Sequence, residues 1–227
     1  MTYPPPMAPY RSARGLCIAA VILVGLQVAL DLLTAAGCVA TLTLPDGVAW
    51  LSLIASGVAS VLSGLLYVAA VVVFMCWIYR ATANLDALGS PNLRLNPSSA
   101  VWAFFIPIVN MVRPHQVMAL IWTDSQPATV NENGYALPRR TTLVTAWWSL
   151  VWVSMVLSRV LRFVDEPTTI AAVRSLAGWA LVECLAWTLT GLLFIFMVWR
   201  AQQRQDEQWL DLERRRAAPQ PTAQALR

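Results

Sequence analysis

Residues 102–122 read W-A-F-F-I-P-I-V-N-M-V-R-P-H-Q-V-M-A-L-I-W, and the threading of this stretch decides the fold. It is apolar enough to enter a membrane, but Pro107 and Pro114 interrupt it and Arg113 charges it. The uncharged run 98–112 has 15 residues, short of the roughly 20 that a spanning helix needs. Proline removes a backbone donor and ends or bends a helix. Irregular backbone at membrane depth survives only under protein or beside a wet cavity. The expectation is a Pro-bent helical segment over 98–122, re-entrant or interfacial, that does not cross.

On both sides of it the chain reads as membrane-spanning helix. Of the 227 residues, 58% are hydrophobic and only 12% charged, about half the charge of a soluble domain. The fold class expected is an all-α membrane protein with four transmembrane helices, over about 16–42, 48–79, 141–158 and 175–199. The bent segment falls between the second and third. Residues 1–14, rich in proline, read as a disordered cytoplasmic tail; 15–200 form the membrane domain; 201–227 read as a polar helix and tail. Two arginines ahead of an apolar run also suit a signal peptide. That run is long for a signal core and contains Asp31, so an uncleaved anchor is expected. In the second span, Ser56, Ser60, Ser63 and Gly64 recur at helical spacing and suit close helix contact. Beyond it, Gly89 suits a helix C-terminus.

All 16 basic residues are arginine. Basic residues collect on the cytoplasmic side of membrane proteins. With both termini cytoplasmic, thirteen arginines fall on inner segments and only Arg159, Arg162 and Arg174 fall outside. If 98–122 crossed, Arg214, Arg215 and Arg216 would move outside and the bias would vanish. A net charge of +4 sorted this way gives no support for nucleic acid as a partner. Cys17, Cys38, Cys76 and Cys184 sit in or beside apolar runs with no C-x-x-C pair, so free thiols and no metal site are expected. The second span leaves through Phe74…Tyr79-Arg80-Ala81…Asp86. The fourth leaves through Phe194…Trp199-Arg200-Ala201…Asp206, shifted by 120 residues. Either a two-plus-two repeat or the common needs of a helix leaving at one side explain this echo.

The run from Trp77 to Pro127 resembles the DUF 4328 family, a domain of unknown function found in bacterial multi-pass membrane proteins. The matching residues are Trp77-x-x-Arg80-Ala81-x-x-Asn84-Leu85-x-Ala87-Leu88-Gly89, Leu93-Arg94-x-x-Pro97, Trp102-x-Phe104-Phe105-Ile106-Pro107-x-x-Asn110, Arg113-Pro114-x-Gln116-x-Met118 and Ile121-Trp122. The resemblance implies a multi-pass protein of the bacterial plasma membrane. It implies no activity.

Two sets of polar residues are candidates for chemistry. Arg80, Asn84, Asn110, Arg113 and Gln116 place guanidinium forks and amides near a broken helix. Such a set suits a phosphate, a lipid headgroup or a carboxylate, or simple snorkelling and capping. Asp31 and Glu183 are acids inside spans, where a charge costs about 2.5–3.5 kcal/mol; they suit proton or solute transport, or a structural pair with each other, Arg159 or Arg174. His115, the one histidine, has no metal-ligand company. Trp50, Trp77, Trp102, Trp122, Trp147, Trp148 and Trp199 lie near span ends, as interface-belt residues do. No phosphate loop, dinucleotide fingerprint, zinc-protease motif or nucleophile elbow occurs, so neither an enzyme nor a cofactor is expected. The first functional reading is a membrane module that binds a lipid headgroup or a partner protein at its cytoplasmic face. The second is a small-solute or proton transporter using Asp31 and Glu183, as a homo-oligomer because four spans enclose little space.

Overall fold

The computed structural model describes residues 9–90, 95–126, 139–161 and 169–217, including every side chain there except those of 46–58 and 60. The described residues are all-helical. The order is α1 (Arg14–Thr43), α2 (Asp46–Ala87), α3 (Pro97–Trp102), a 3-10 turn (Val109–Met111), α4 (Arg113–Asp124), α5 (Thr142–Leu161) and α6 (Ile170–Ala217). Four of these, α1, α2, α5 and α6, are long and apolar enough to cross a membrane. The expected Asn133-Gly134 turn, residues 1–8, Leu93-Arg94, Arg162 and residues 218–227 lie outside the described residues.

The central stretch is two short helices and a turn. α3 has six residues and α4 has 12; at 1.5 Å per residue they are about 9 and 18 Å long, against about 30 Å of hydrocarbon. Neither can cross alone. The prolines bend no single helix here. Pro97 opens α3, where Asn96 Oδ1 accepts from Ser98 N–H at 3.0 Å. Pro107 lies between α3 and the 3-10 turn, and Pro114 sits in the first turn of α4. Proline is tolerated at helix starts because those donors have no intrahelical partner.

The long helices have readable ends. Thr169 Oγ1 caps α6 by accepting from Ala172 N–H at 3.2 Å, as N-cap hydroxyls do. α2 stops at Gly89, whose φ is 74°. There Ser90 N–H bonds Leu85 O and Gly89 N–H bonds Asp86 O, both at 3.0 Å, the pairing that a left-handed glycine permits. The polar extension after Trp199 is no separate element: α6 runs unbroken for 48 residues.

The chain divides into two compact units, and α2 and α6 contribute to both. The span unit comprises residues 15–77 and 140–199. Within it α6 touches each of the other three helices. Phe194 meets Phe74 of α2 edge-to-face at 4.8 Å and lies 6.2 Å from Trp147 of α5. Val198 O accepts from Cys17 Sγ of α1 at 3.8 Å. At Gly191 a Cβ would stand 2.6 Å from Val28 Cγ2 and 3.4 Å from Val24 Cγ1, so glycine is what lets α1 approach α6.

Two expectations need correction here. Gly64 is not a close-contact position: it is exposed, and a Cβ there would meet nothing within 4 Å. The close approach lies at Gly191 instead. Trp77, Trp122 and Trp147 are not belt residues but buried ones. Trp77 stacks on Phe74, Arg204 lies over Trp122, and Trp147 packs toward Phe194. Of the other four, Trp102 and Trp199 are exposed.

The tail unit comprises the N-terminal residues to Arg14, Ile78–Arg139 and Arg200–Arg227. Its core holds Ile78, Ala81 and Leu85 of α2, Val117, Met118 and Ile121 of α4, and Ala201 of α6. Positions 120 residues apart, such as Ala81 and Ala201 or Ile78 and Val198, are buried alike. The sequence echo is thus also an echo of burial.

Candidate functional site

The polar heart of the tail unit is built on one turn of α2 and one of α6. Asn84 is 2% exposed. Its Oδ1 accepts from Arg11 N–H at 3.2 Å and its Nδ2 donates to Arg11 O at 3.0 Å. A single amide thus holds both backbone groups of one residue, a pairing open to asparagine because its side chain carries a donor and an acceptor. On α6, Asp206 Oδ1 accepts from Tyr10 Oη at 2.6 Å, Ser12 Oγ at 2.9 Å and Gln202 Nε2 at 3.1 Å. The Tyr10 ring stacks on Trp209 with centroids 5.0 Å apart and planes 14° apart. Burial first, then Asp206 beside it, push the Tyr10 hydroxyl well above the ordinary tyrosine range.

A second set ties α6 to α4 and α2. Gln205, fully buried, donates through Nε2 to Ala81 O and to Ser125 Oγ, both at 3.2 Å. Its Oε1 has no hydrogen-bond partner among the described residues. Arg204 lies 4.4 Å over the Trp122 ring, a cation–π contact. Burial, then the Arg200 charge, push its guanidinium below the usual range, and Glu207 opposes them. Asp124 at the end of α4 accepts from Ser90 Oγ and pairs with Arg139 at 3.7 Å. Arg139 also donates to Thr123 O at 2.6 Å.

The third feature is apolar. Between α3 and α4 the chain exposes Trp102 at 63% and Ile108 at 84%, with Phe105, Ile106, Met111 and Val112 also exposed. Arg113, the first residue of α4, is exposed as well. Single exposed apolar residues are ordinary, but a contiguous group marks a surface that meets something other than water.

The five candidates from the sequence all fall in the tail unit. Asn84 is occupied by the Arg11 peptide. Arg80 and Asn110 are half-buried, and Arg113 and Gln116 are exposed. Among the described residues no hydrogen bond joins any of the five to another, so they are neighbours in one unit rather than a closed ligand set. His115 is half-buried in α4.

The two acids fall in the span unit. Asp31 accepts from Gln27 Nε2 at 3.3 Å within α1. Glu183 accepts from Ser158 Oγ of α5, and that hydroxyl accepts from Trp187 Nε1 at 3.1 Å. Arg174 donates to Leu44 O at 3.1 Å. None of the four cysteines forms a disulfide.

Asp206, Trp209, Gln205 and Tyr10 escaped the sequence reading as site residues. The signal for Asp206 was present in the 120-residue echo, which aligned it with Asp86. Nothing in the sequence pointed to Tyr10, because a proline-rich leader gives no sign of where it docks.

Residues 40–203 match the family model described as Domain of unknown function (DUF4328), and the chain belongs to that family. No curated protein matches the chain, and no solved structure does.

Proposed function

We propose that this member of the DUF4328 family is a non-enzymatic module of the bacterial plasma membrane. It binds an anionic lipid headgroup at its cytoplasmic face, with both termini on that side. The observation that carries this reading is the exposed apolar group from Trp102 to Val112, ending on exposed Arg113. In a chain with four membrane-length helices, such a group gains most by sinking into the boundary between headgroups and acyl chains. The adjacent guanidinium offers a planar fork to a phosphate there. Gln116 lies one helical turn further along α4, and Arg80 and Asn110 supply donors from the same unit. The short lengths of α3 and α4 favour an interfacial segment over a re-entrant one. The sorting of thirteen arginines against three supports the orientation.

Native mass spectrometry of the chain in nanodiscs holding phosphatidylglycerol tests this. Retained anionic lipid should fall sharply in Arg113→Ala and less in Arg80→Ala. Equal retention in all three samples would remove the headgroup site.

Two bonded sets in the span unit, Gln27 with Asp31 and Glu183 with Ser158 and Trp187, favour a second reading, transport of a proton or small solute. Acids inside membrane spans are costly unless used or neutralised. Reconstituted Asp31→Asn and Glu183→Gln should then lose flux while remaining folded.

A further inference from the structure

We propose that the ends of α2 and α6 form a peptide-recognition groove, held by the chain's own Tyr10-Arg11-Ser12, whose outside partner is a protein with an extended Tyr-x-Ser or Tyr-x-Thr segment. This deepens the binding-module reading by naming a protein partner, and it rests on that reading only for the tail unit being a binding surface.

The groove reads three consecutive positions in different ways. At the first, Trp209 supplies a flat shelf for an aromatic ring at 5.0 Å and Asp206 takes its hydroxyl at 2.6 Å. At the second, Asn84 bonds the backbone N–H and C=O and leaves the Arg11 side chain exposed. At the third, Asp206 takes a hydroxyl at 2.9 Å. Side-chain selection at alternate positions with backbone bonding between them is how extended peptides are recognised. With the tail docked, Asn84 and Gln202 are both 2% exposed, and both project from α2 and α6. Emptying the groove breaks both bonds that the Arg11 backbone makes with the Asn84 amide. A tail docked in cis satisfies it until a better ligand arrives in trans. Self-occupancy lowers apparent affinity by the fraction of time the groove is open. The resting chain is therefore a weak binder, and loss of the tail's anchor makes it a stronger one.

The test uses the full chain in nanodiscs and a fluorescent peptide with the sequence of residues 4–13. Fluorescence polarisation should show the peptide binding a Tyr10→Ala chain at least about tenfold more tightly than wild type. The Tyr10→Ala variant removes the resident ring and leaves Asn84, Asp206 and Trp209 in place. A peptide carrying Arg11→Pro, which lacks the N–H that Asn84 accepts, should lose binding. A peptide carrying Arg11→Ala should keep it. Equal affinity for the wild-type and Tyr10→Ala chains overturns the proposal, as does an Arg11→Ala peptide that loses as much as Arg11→Pro. If Tyr10→Ala elutes as misfolded protein, Ser12→Ala, which removes one contact with Asp206, replaces it; no gain in affinity there is equally fatal. A concentration-dependent dimer abolished by Tyr10→Ala would make the occupant a second copy of this chain and overturn the partner assignment. Arg113→Ala separates the two sites: it should leave peptide binding unchanged whatever it does to retained lipid.

Discussion

The span unit and the tail unit differ in how far many of their polar side chains reach. In the span unit Thr34, Thr41 and Thr190 donate to Leu30 O, Gly37 O and Ala186 O, each four residues back on the same helix, at 2.8–2.9 Å. In the tail unit polar side chains reach across the sequence: Asn84 to Arg11, Gln205 to Ala81, and Tyr10 to Asp206, 196 positions away. Back-bonding needs no second helix, so a span can carry it alone through hydrocarbon, where an unmet group is costly. Helix contact there combines shape, as at Gly191 against Val24 and Val28, with a few bonds between helices, such as Ser158 to Glu183 and Cys17 to Val198 O. Where polar groups bond across segments, position and partner become specific, and that is where recognition belongs.

Substitutions can break this contrast. The largest effect is expected at Gly191. A Gly191→Val side chain must push aside Val28 Cγ2, which its Cβ alone would meet at 2.6 Å. Overpacking of this kind costs about 1–3 kcal/mol, while Gly64→Val, facing open space, should shift thermal stability in micelles very little. Next comes Asn84→Leu. Two hydrogen bonds of about 1 kcal/mol each are lost, and trypsin should cut after Arg11 and Arg14 faster than in wild type. Thr34→Val, which removes a bond within one helix, should leave cleavage unchanged.

Alkaline titration sharpens the comparison. The Tyr10 hydroxyl has a raised pKa when docked, so its share of docking stability is whole below the ordinary tyrosine value of about 10. That share is lost progressively as pH rises above it. Tail release measured by trypsin cleavage should increase above about pH 10 in wild type and show no such rise in Tyr10→Phe. The smallest effect is expected for Arg204→Met, which keeps an apolar stem over Trp122 but removes the cation–π contact at 4.4 Å, worth about 0.5–1 kcal/mol.

Much of the span unit was legible because hydropathy and length are local properties. Each of α1, α2, α5 and α6 overlaps one of the four apolar runs, and Gly89 ends its helix through its φ. Pair geometry was not local. Small residues drew attention to Ser56–Gly64, but whether glycine matters depends on the facing helix, and Val28 faces Gly191. Aromatics near span ends suggested a belt, yet Trp77 and Trp147 point at Phe74 and Phe194. In the tail unit Asn84 stood out as a polar residue at a helix exit, but its partner lies 73 positions earlier in a leader with no periodicity. The exposed group at 102–113 was visible as a stretch that fits neither span nor loop.

The measurement that tests the account most directly is photocrosslinking with a phosphatidylglycerol whose headgroup carries a diazirine, followed by peptide mapping. Adducts should concentrate between Trp102 and Gln116, and Arg113→Ala should remove them while Glu183→Gln does not. Adducts spread along the apolar faces of α1, α2, α5 and α6, with none in that stretch and no response to Arg113→Ala, would contradict it.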